Sequence, residues 1–374
     1  MLSCPPPANT IHLTRLDGTA FDWQSILGCA TPPAIDESTV ILGRHSHTAR
    51  LSAGARTVYI KRCVPSEMEE RGDVKWQRDM ASYRNEAAFM AAVAKEGGKL
   101  AAAFPQPLAV DIRDGDDWRE AGWITIMEDL GQGWHQEFFM DMAHARAAYT
   151  ALAELHGAAH GRPKDLPVWP VGSYWTTEKR APGEEKTVAD AWTTFLDGTG
   201  LDLDRELGAK VEALVDRADR AARDLADKVP VIVHGDAKTA NVLFHDGPLR
   251  AKFIDAQWTG YAHPAFDLNY MLVTSFSLDV MARERELVQH YIDELERLHG
   301  IRDLFTADEL MHAMRVVCVD YARVVFAYML PGRSTIAKLE AGKETLGRAS
   351  HNRSVPHLVA LAHRIGESVQ QFTN

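Results

Sequence analysis

Asp236, Asn241 and Asp255 fall within one stretch, VIVHGDAKTANVLFHDGPLRAKFIDAQWTGYAHPAFDL, spanning residues 231–268. Their types and order suit phosphoryl transfer from a nucleotide. One carboxylate, Asp236, would lie beside the attacking hydroxyl and take up its proton. A second carboxylate, Asp255, and the carboxamide oxygen of Asn241 would hold the Mg²⁺ that bridges the phosphates. The runs PVIV, NVLF and AKFI are short and rich in β-branched or aromatic residues, as strands are. They are expected to carry the three polar residues to adjacent loop ends of one small sheet. An isolated His-Gly-Asp tripeptide would carry little weight. Here the Asn falls at the required offset and a strand-borne Asp follows, which an exposed turn would not need.

The pattern H-G-D-x-x-x-x-N, followed by a D-F-x-like triplet and an Asp-Leu pair, resembles that of the kinase-like phosphotransferases of small molecules. These include the aminoglycoside phosphotransferases, the choline kinases and especially the ecdysteroid-kinase-like group. The resemblance implies that Asp236 is the catalytic base and that Asn241 and Asp255 are the metal ligands. It further implies that His234 is a structural histidine of the catalytic loop and that Asp267 is an acid bracing that loop. Ala256 stands where the pattern usually has Phe, but Asp255 keeps its carboxylate. Lys238 occupies the place of the protein-kinase catalytic-loop lysine, where a cation would stabilise charge on the transferring phosphoryl group.

Upstream, Lys61 near the end of an alternating strand and Glu86 on the next helix match the strand lysine and helix glutamate of kinase-like folds. There the lysine contacts the α- and β-phosphates. Glu67, Glu69 and Glu70 read instead as a solvated loop. No G-x-G-x-x-G is present; Gly43 and Ser46, with Thr48, occupy the place of the phosphate-covering loop. IMEDLGQG resembles the linker between two lobes, where adenine would meet backbone groups around Met127, Glu128 and Asp129. A P-loop sequence is absent.

Trp258 and Tyr261 follow Asp255 directly and are expected at the acceptor site, where an aromatic wall suits a ring-bearing alcohol or an amine held by cation–π contact. His156 reads as a structural helix-end histidine, and His45 and His47 as exposed turn residues.

A chain of 374 residues, 46% of them hydrophobic, can build two lobes around sizeable cores. The net charge of −11 argues against nucleic acid as a partner. The four cysteines are scattered without a paired spacing, consistent with reduced thiols. The N-terminal MLSCPPPANTIHL lacks a basic and apolar leader, and no run approaches a membrane span, so a cytoplasmic protein is expected.

The expected organisation is an irregular extension over 1–35, a β-rich nucleotide lobe over 36–130, and a mainly helical catalytic and acceptor-binding lobe over 131–374. The fold class is therefore α+β, with a bilobal kinase-like architecture. The expected reaction is ATP- and Mg²⁺-dependent phosphorylation of a small-molecule hydroxyl. A protein-phosphorylating enzyme and a catalytically silent nucleotide-binding protein are the alternatives. The short path from Asp255 to Asp267, without an A-P-E element, favours the small acceptor.

Overall fold

The computed structural model describes residues 11–42, 46–67, 74–115, 117–180, 182–331, 335–341, 347 and 349–373. The chain forms two compact units, residues 1–132 with 166–168 and residues 133–165 with 169–374. The fold is α+β.

The first unit contains, in chain order, α1 (Trp23–Leu27), β1 (Ala34–Leu42), β2 (His47–Ala53), β3 (Arg56–Cys63), α2 (Val74–Glu96), α3 (Gly98–Ala102), β4 (Pro107–Arg113) and β5 (Gly122–Glu128). The strands form one antiparallel sheet in the order β1-β2-β3-β5-β4. Because side chains alternate across a strand, the sheet has two apolar faces. Leu51, Val58, Ile60, Ile124 and Ile126 pack on one face against Ile11, Phe21, Trp23 and Leu27. Cys63 and Trp123 point to the other face, where Trp76 and Met80 of α2 cover them. The stretch before Asp36 is therefore no loose extension from Ile11 onward. It supplies the lid of one sheet face, which would otherwise leave five large aliphatic side chains in water. Its apolar residues follow no single period, so no sequence pattern announces it.

The second unit contains β6 (Trp134–His135), α4 (Met142–Ala159), α5 (Val188–Thr199), α6 (Leu207–Lys228), β7 (Val231–Val233), β8 (Val242–His245), β9 (Ala251–Phe253), β10 (Gly260–Ala262), α7 (Ala265–Ser275), α8 (Leu278–Met281), α9 (Glu284–His299), α10 (Ala307–Val324), α11 (Ile336–Glu340) and α12 (Val355–Thr373). The strands around the expected catalytic loop do not form one small sheet. β7 pairs with β10, and β8 lies between β6 and β9 in a separate sheet. The glycine-initiated run Gly260–Ala262 is too short to read as a strand, yet it is the strand that pairs with β7.

Every residue of α7 is buried. It is held from behind by Arg364, whose guanidinium donates to Asn269 Oδ1 at 3.1 Å and to Glu284 Oε1 at 2.6 Å. Among the described residues no helix is long and apolar enough to cross a membrane.

Candidate active site

In the first unit, β3 and α2 bring the expected lysine and glutamate together. Lys61 Nζ lies 2.6 Å from Glu86 Oε2, with side-chain exposures of only 16% and 5%. Tyr83, one helical turn before Glu86, places its ring centroid 5.3 Å from the same ammonium. An ion pair this shielded is far less screened than a surface one. Glu67 goes elsewhere, to Arg62 at 2.7 Å. Ser46 lies in the connection before β2, and Gly43 falls outside the described residues.

Met127 pairs with Tyr59 across the sheet, and Glu128 donates its N–H to the Gln106 carbonyl at 2.8 Å. The Asp129 carboxylate accepts from Gly131 N at 3.0 Å and is ion-paired with Arg50. It closes the strand end, and these donors together hold its carboxyl below the usual range despite partial burial.

In the second unit, the loop after β7 is fixed from below by α7. Asp267, fully buried, accepts the backbone N–H of His234 at 2.6 Å on one oxygen and that of Gly235 at 2.9 Å on the other. His156 adds its Nε2 to Asp267 Oδ2 at 3.2 Å, and its Nδ1 meets Tyr291 Oη at 2.9 Å. His156 thus stands in the last turn of α4 as part of the brace, rather than satisfying a helix-end carbonyl.

His234 Nε2 lies 2.9 Å from the Ile254 carbonyl, so it carries the proton. Nδ1 is then free to accept from Asp236 N at 3.3 Å. Gly235 has φ +79°, and a Cβ there would sit 2.2 Å from the Trp258 carbonyl oxygen. Only glycine fits this turn.

These contacts present Asp236, 6% exposed, to three donors. Tyr270 Oη donates to Oδ1 at 2.8 Å, Lys238 Nζ lies 2.7 Å from Oδ2, and Asn241 Nδ2 donates to Oδ2 at 3.0 Å. Asn241 also gives Nδ2 to the Asp236 carbonyl at 2.9 Å. Both hydrogen bonds use its amide donors, which leaves the carboxamide oxygen as an acceptor. Asp255 follows β9 with φ +66°, a left-handed conformation rare for a non-glycine residue and common at working sites. Burial alone would lower the Lys238 pKa, but the Asp236 carboxylate outweighs it and raises it, with Asp255 adding to the effect. Lys238 is therefore a cation at neutral pH.

The remaining wall comes from a loop stitched onto the segment after Asp255. Ser173 N donates to Trp258 O at 3.0 Å, Gly172 N to Tyr261 O at 2.9 Å, and Trp169 Nε1 to Gln257 O at 2.9 Å. The Trp169 and Trp258 rings stack at 6.0 Å. Lys179, only 5% exposed, pins this loop by donating to Ser173 O at 2.9 Å and Thr176 Oγ1 at 3.1 Å. Trp258 is partly exposed and neighbours Tyr174 at 6.3 Å between centroids. Tyr261 is 7% exposed on β10, a scaffold residue of that strand.

Three contributors escaped the sequence reading. Tyr270 and Ser275, which accepts Thr239 N at 3.0 Å, share with Asp267 the face of α7 beneath the loop. The spacing from Asp267 to Tyr270, one helical turn, was the available signal. Tyr174, in a loop, gave no periodic signal. Its hydroxyl is buried beside those of Tyr270 and Tyr321. Burial and the nearby Asp236 charge push its pKa up to about 12.

Solved structures of similar fold include one from Ralstonia eutropha provisionally assigned as an aminoglycoside phosphotransferase, at 15% identity over 93% of this chain and 95% of that one, TM-score 0.49. A microcompartment-associated aminopropanol kinase matches at 14% identity over 91% of each chain, TM-score 0.47. The amicoumacin kinase, solved with AMP-PNP and Ca²⁺, matches at 12% identity over 94% of each chain, TM-score 0.45. No curated protein sequence matches the chain. The model of the phosphotransferase enzyme family matches residues 70–304, well over half of the sequence. That match takes in Glu86 and the whole braced loop from His234 to Asp267, and by it the chain belongs to the phosphotransferase enzyme family.

Proposed function

We propose that this phosphotransferase moves the γ-phosphoryl group of ATP onto a hydroxyl of a small molecule, with Asp236 as the catalytic base. The observation that carries the reading is the triple anchoring of Asp236 by Tyr270, Lys238 and Asn241. Three donors hold its carboxylate in one orientation. In that state it can align an acceptor hydroxyl and take its proton as the oxygen–phosphorus bond forms.

The donor set suits a hard divalent cation. Asn241 has an uncommitted carboxamide oxygen, and Asp255 brings a carboxylate on a backbone set for it. Mg²⁺ takes oxygen ligands of this kind. Bound there, the metal would neutralise charge on the phosphate oxygens. Lys238 adds a fixed cation beside the base, where charge develops in transfer. Lys61, oriented by Glu86 and Tyr83, is assigned to the α- and β-phosphates. Backbone groups from Met127 to Asp129 are assigned to the base of the nucleotide, because the Asp129 side chain is already committed to Arg50.

For the acceptor, Tyr174 offers a protonated hydroxyl close to the base, and Trp258 with Trp169 offers a flat apolar face. Such a wall suits a ring-bearing or amine-bearing alcohol. The intact base and ligand positions favour an active enzyme over a silent nucleotide binder. A library of hydroxylated metabolites, followed by ATP consumption and product mass, tests the proposal. Phosphorylation of at least one small alcohol is expected; transfer only to protein substrates would overturn it.

A further inference from the structure

We propose that His135, Glu137 and His144 form a transition-metal site, separate from the phosphotransfer residues, with Zn²⁺ as the cation its donors fit. His135 ends β6, Glu137 follows two residues later, and His144 lies in the first turn of α4. One nitrogen of each ring and one Glu137 carboxylate oxygen all lie within 4.8 Å of one another. His135 Nε2 is 3.0 Å and His144 Nε2 is 3.7 Å from Glu137 Oε1. Tetrahedral ligands at zinc bond lengths sit about 3.3 Å apart, so the donors need only small adjustments to close on one ion.

The far side of each ring is also arranged. His144 Nδ1 is bonded to Asp141 Oδ1 at 2.8 Å, and Asp141 is itself fixed as the N-cap of α4. His135 Nδ1 lies 2.8 Å from Asp246 Oδ1, an ion-pair contact without the in-line geometry of a hydrogen bond. At His144 the Asp141 carboxylate on Nδ1 keeps the proton there and leaves Nε2 as a bare lone pair, the arrangement found behind metal-bound histidines. His135 Nε2 is hydrogen-bonded to Glu137 Oε1 at 3.0 Å, and a metal ion would take the place of that shared proton. With that proton displaced, two imidazole nitrogens and a carboxylate oxygen converge on one point. Phe244 packs edge-on to the His144 ring at 4.9 Å and borders the His135 ring at 6.4 Å, limiting rotation of both.

Imidazole donors select zinc and its neighbours over Mg²⁺. Side-chain exposures of 36%, 34% and 19% for His135, Glu137 and His144 leave an entry route and room for a water as fourth ligand. The site ties β6, the start of α4 and, through Asp246, the β8–β9 hairpin. Gln136, between two of the ligands, donates Nε2 to the Ala240 carbonyl beside Asn241 at 2.5 Å. The bound ion would therefore act as a positioning clip for the loop that carries Asn241.

The test is titration of metal-stripped full-length protein with Zn²⁺, and with Co²⁺ as a spectroscopic probe, in excess Mg²⁺. One equivalent should bind, Co²⁺ should give the intense visible bands of a four-coordinate site, and Zn²⁺ should raise the melting temperature. H135Q and H144Q should weaken binding at least ~100-fold, and D246N, which removes no ligand, roughly 10- to 100-fold. D236A should bind Zn²⁺ as the unmodified protein does, which separates this site from the phosphotransfer reading. Equal Zn²⁺ affinity in the unmodified protein and a folded H135Q/H144Q double variant would overturn the proposal. So would a Co²⁺ spectrum of the hexa-aqua kind.

Discussion

Tyr270 Oη donates a 2.8 Å hydrogen bond to Asp236 Oδ1, so the same buried helix that braces the His234–Gly235 backbone through Asp267 also aims the proposed base. Tyr270→Phe removes this donor without changing ring packing against Trp175 and Tyr174. We expect kcat to fall about tenfold, the worth of one hydrogen bond to a charged group at ~1.5 kcal/mol. The KM for ATP should stay unchanged. Steady-state kinetics decide it, and an unaltered kcat would mean that the hydroxyl does not aim Asp236.

Asp267 takes two backbone N–H groups and His156 on two oxygens. Asn in its place has one acceptor oxygen, so at least one buried N–H loses its partner. Asp267→Asn should lower stability by ~3 kcal/mol in urea unfolding and reduce turnover as well. A urea midpoint within error of the unmodified protein would contradict the brace.

Gly235 combines φ +79° with a Cβ position 2.2 Å from the Trp258 carbonyl oxygen and 2.6 Å from Ser173 N. Both neighbours are backbone and cannot swing aside. Gly235→Ala should cost more than ~3 kcal/mol and prevent a two-state melt near the unmodified temperature. A thermal scan of the purified variant checks this.

His263, 4% exposed, caps the start of α7 by accepting Ala265 N at 3.1 Å on Nδ1. Burial pushes its pKa down to about 4, with the charges of His156 and Lys228 adding to the effect. The unfolded chain, with an ordinary histidine near 6.5, binds the proton first. Stability is therefore complete above pH 6.5 and is lost as pH falls toward 4. His357, held near 4 mainly by burial, contributes in the same direction. His263→Asn keeps an acceptor for the cap without the titration. Its urea stability should decline less steeply between pH 6.5 and 4 than that of the unmodified protein; identical slopes would remove His263 from the account.

The phosphotransferase family was legible because phosphoryl transfer demands particular side chains at near-fixed offsets, and residues 231–268 carry that pattern. The strand–helix order around Lys61 and Glu86 was legible for a similar reason, since alternation on β3 and helical spacing on α2 put each residue on a defined face. Less could be read where tertiary packing decides. Nothing local marks Phe21 and Trp23 as the cover of a sheet face, or Gly260–Ala262 as the strand partner of β7. Tyr174 and Ser275 act through neighbours far away in sequence. The histidines at 135 and 144 meet only because β6 and the start of α4 fold back on each other, and their spacing matches no common metal motif.

Asp236 is proposed as the base for transfer of the ATP γ-phosphoryl group to a small alcohol. The direct measurement is transfer of label from γ-labelled ATP to the acceptor found by screening, in the unmodified protein and in Asp236→Ala, with Mg²⁺·ATP affinity measured alongside. Transfer should fall by at least ~100-fold in the variant while nucleotide affinity changes little. Transfer at the unmodified rate by Asp236→Ala would contradict it.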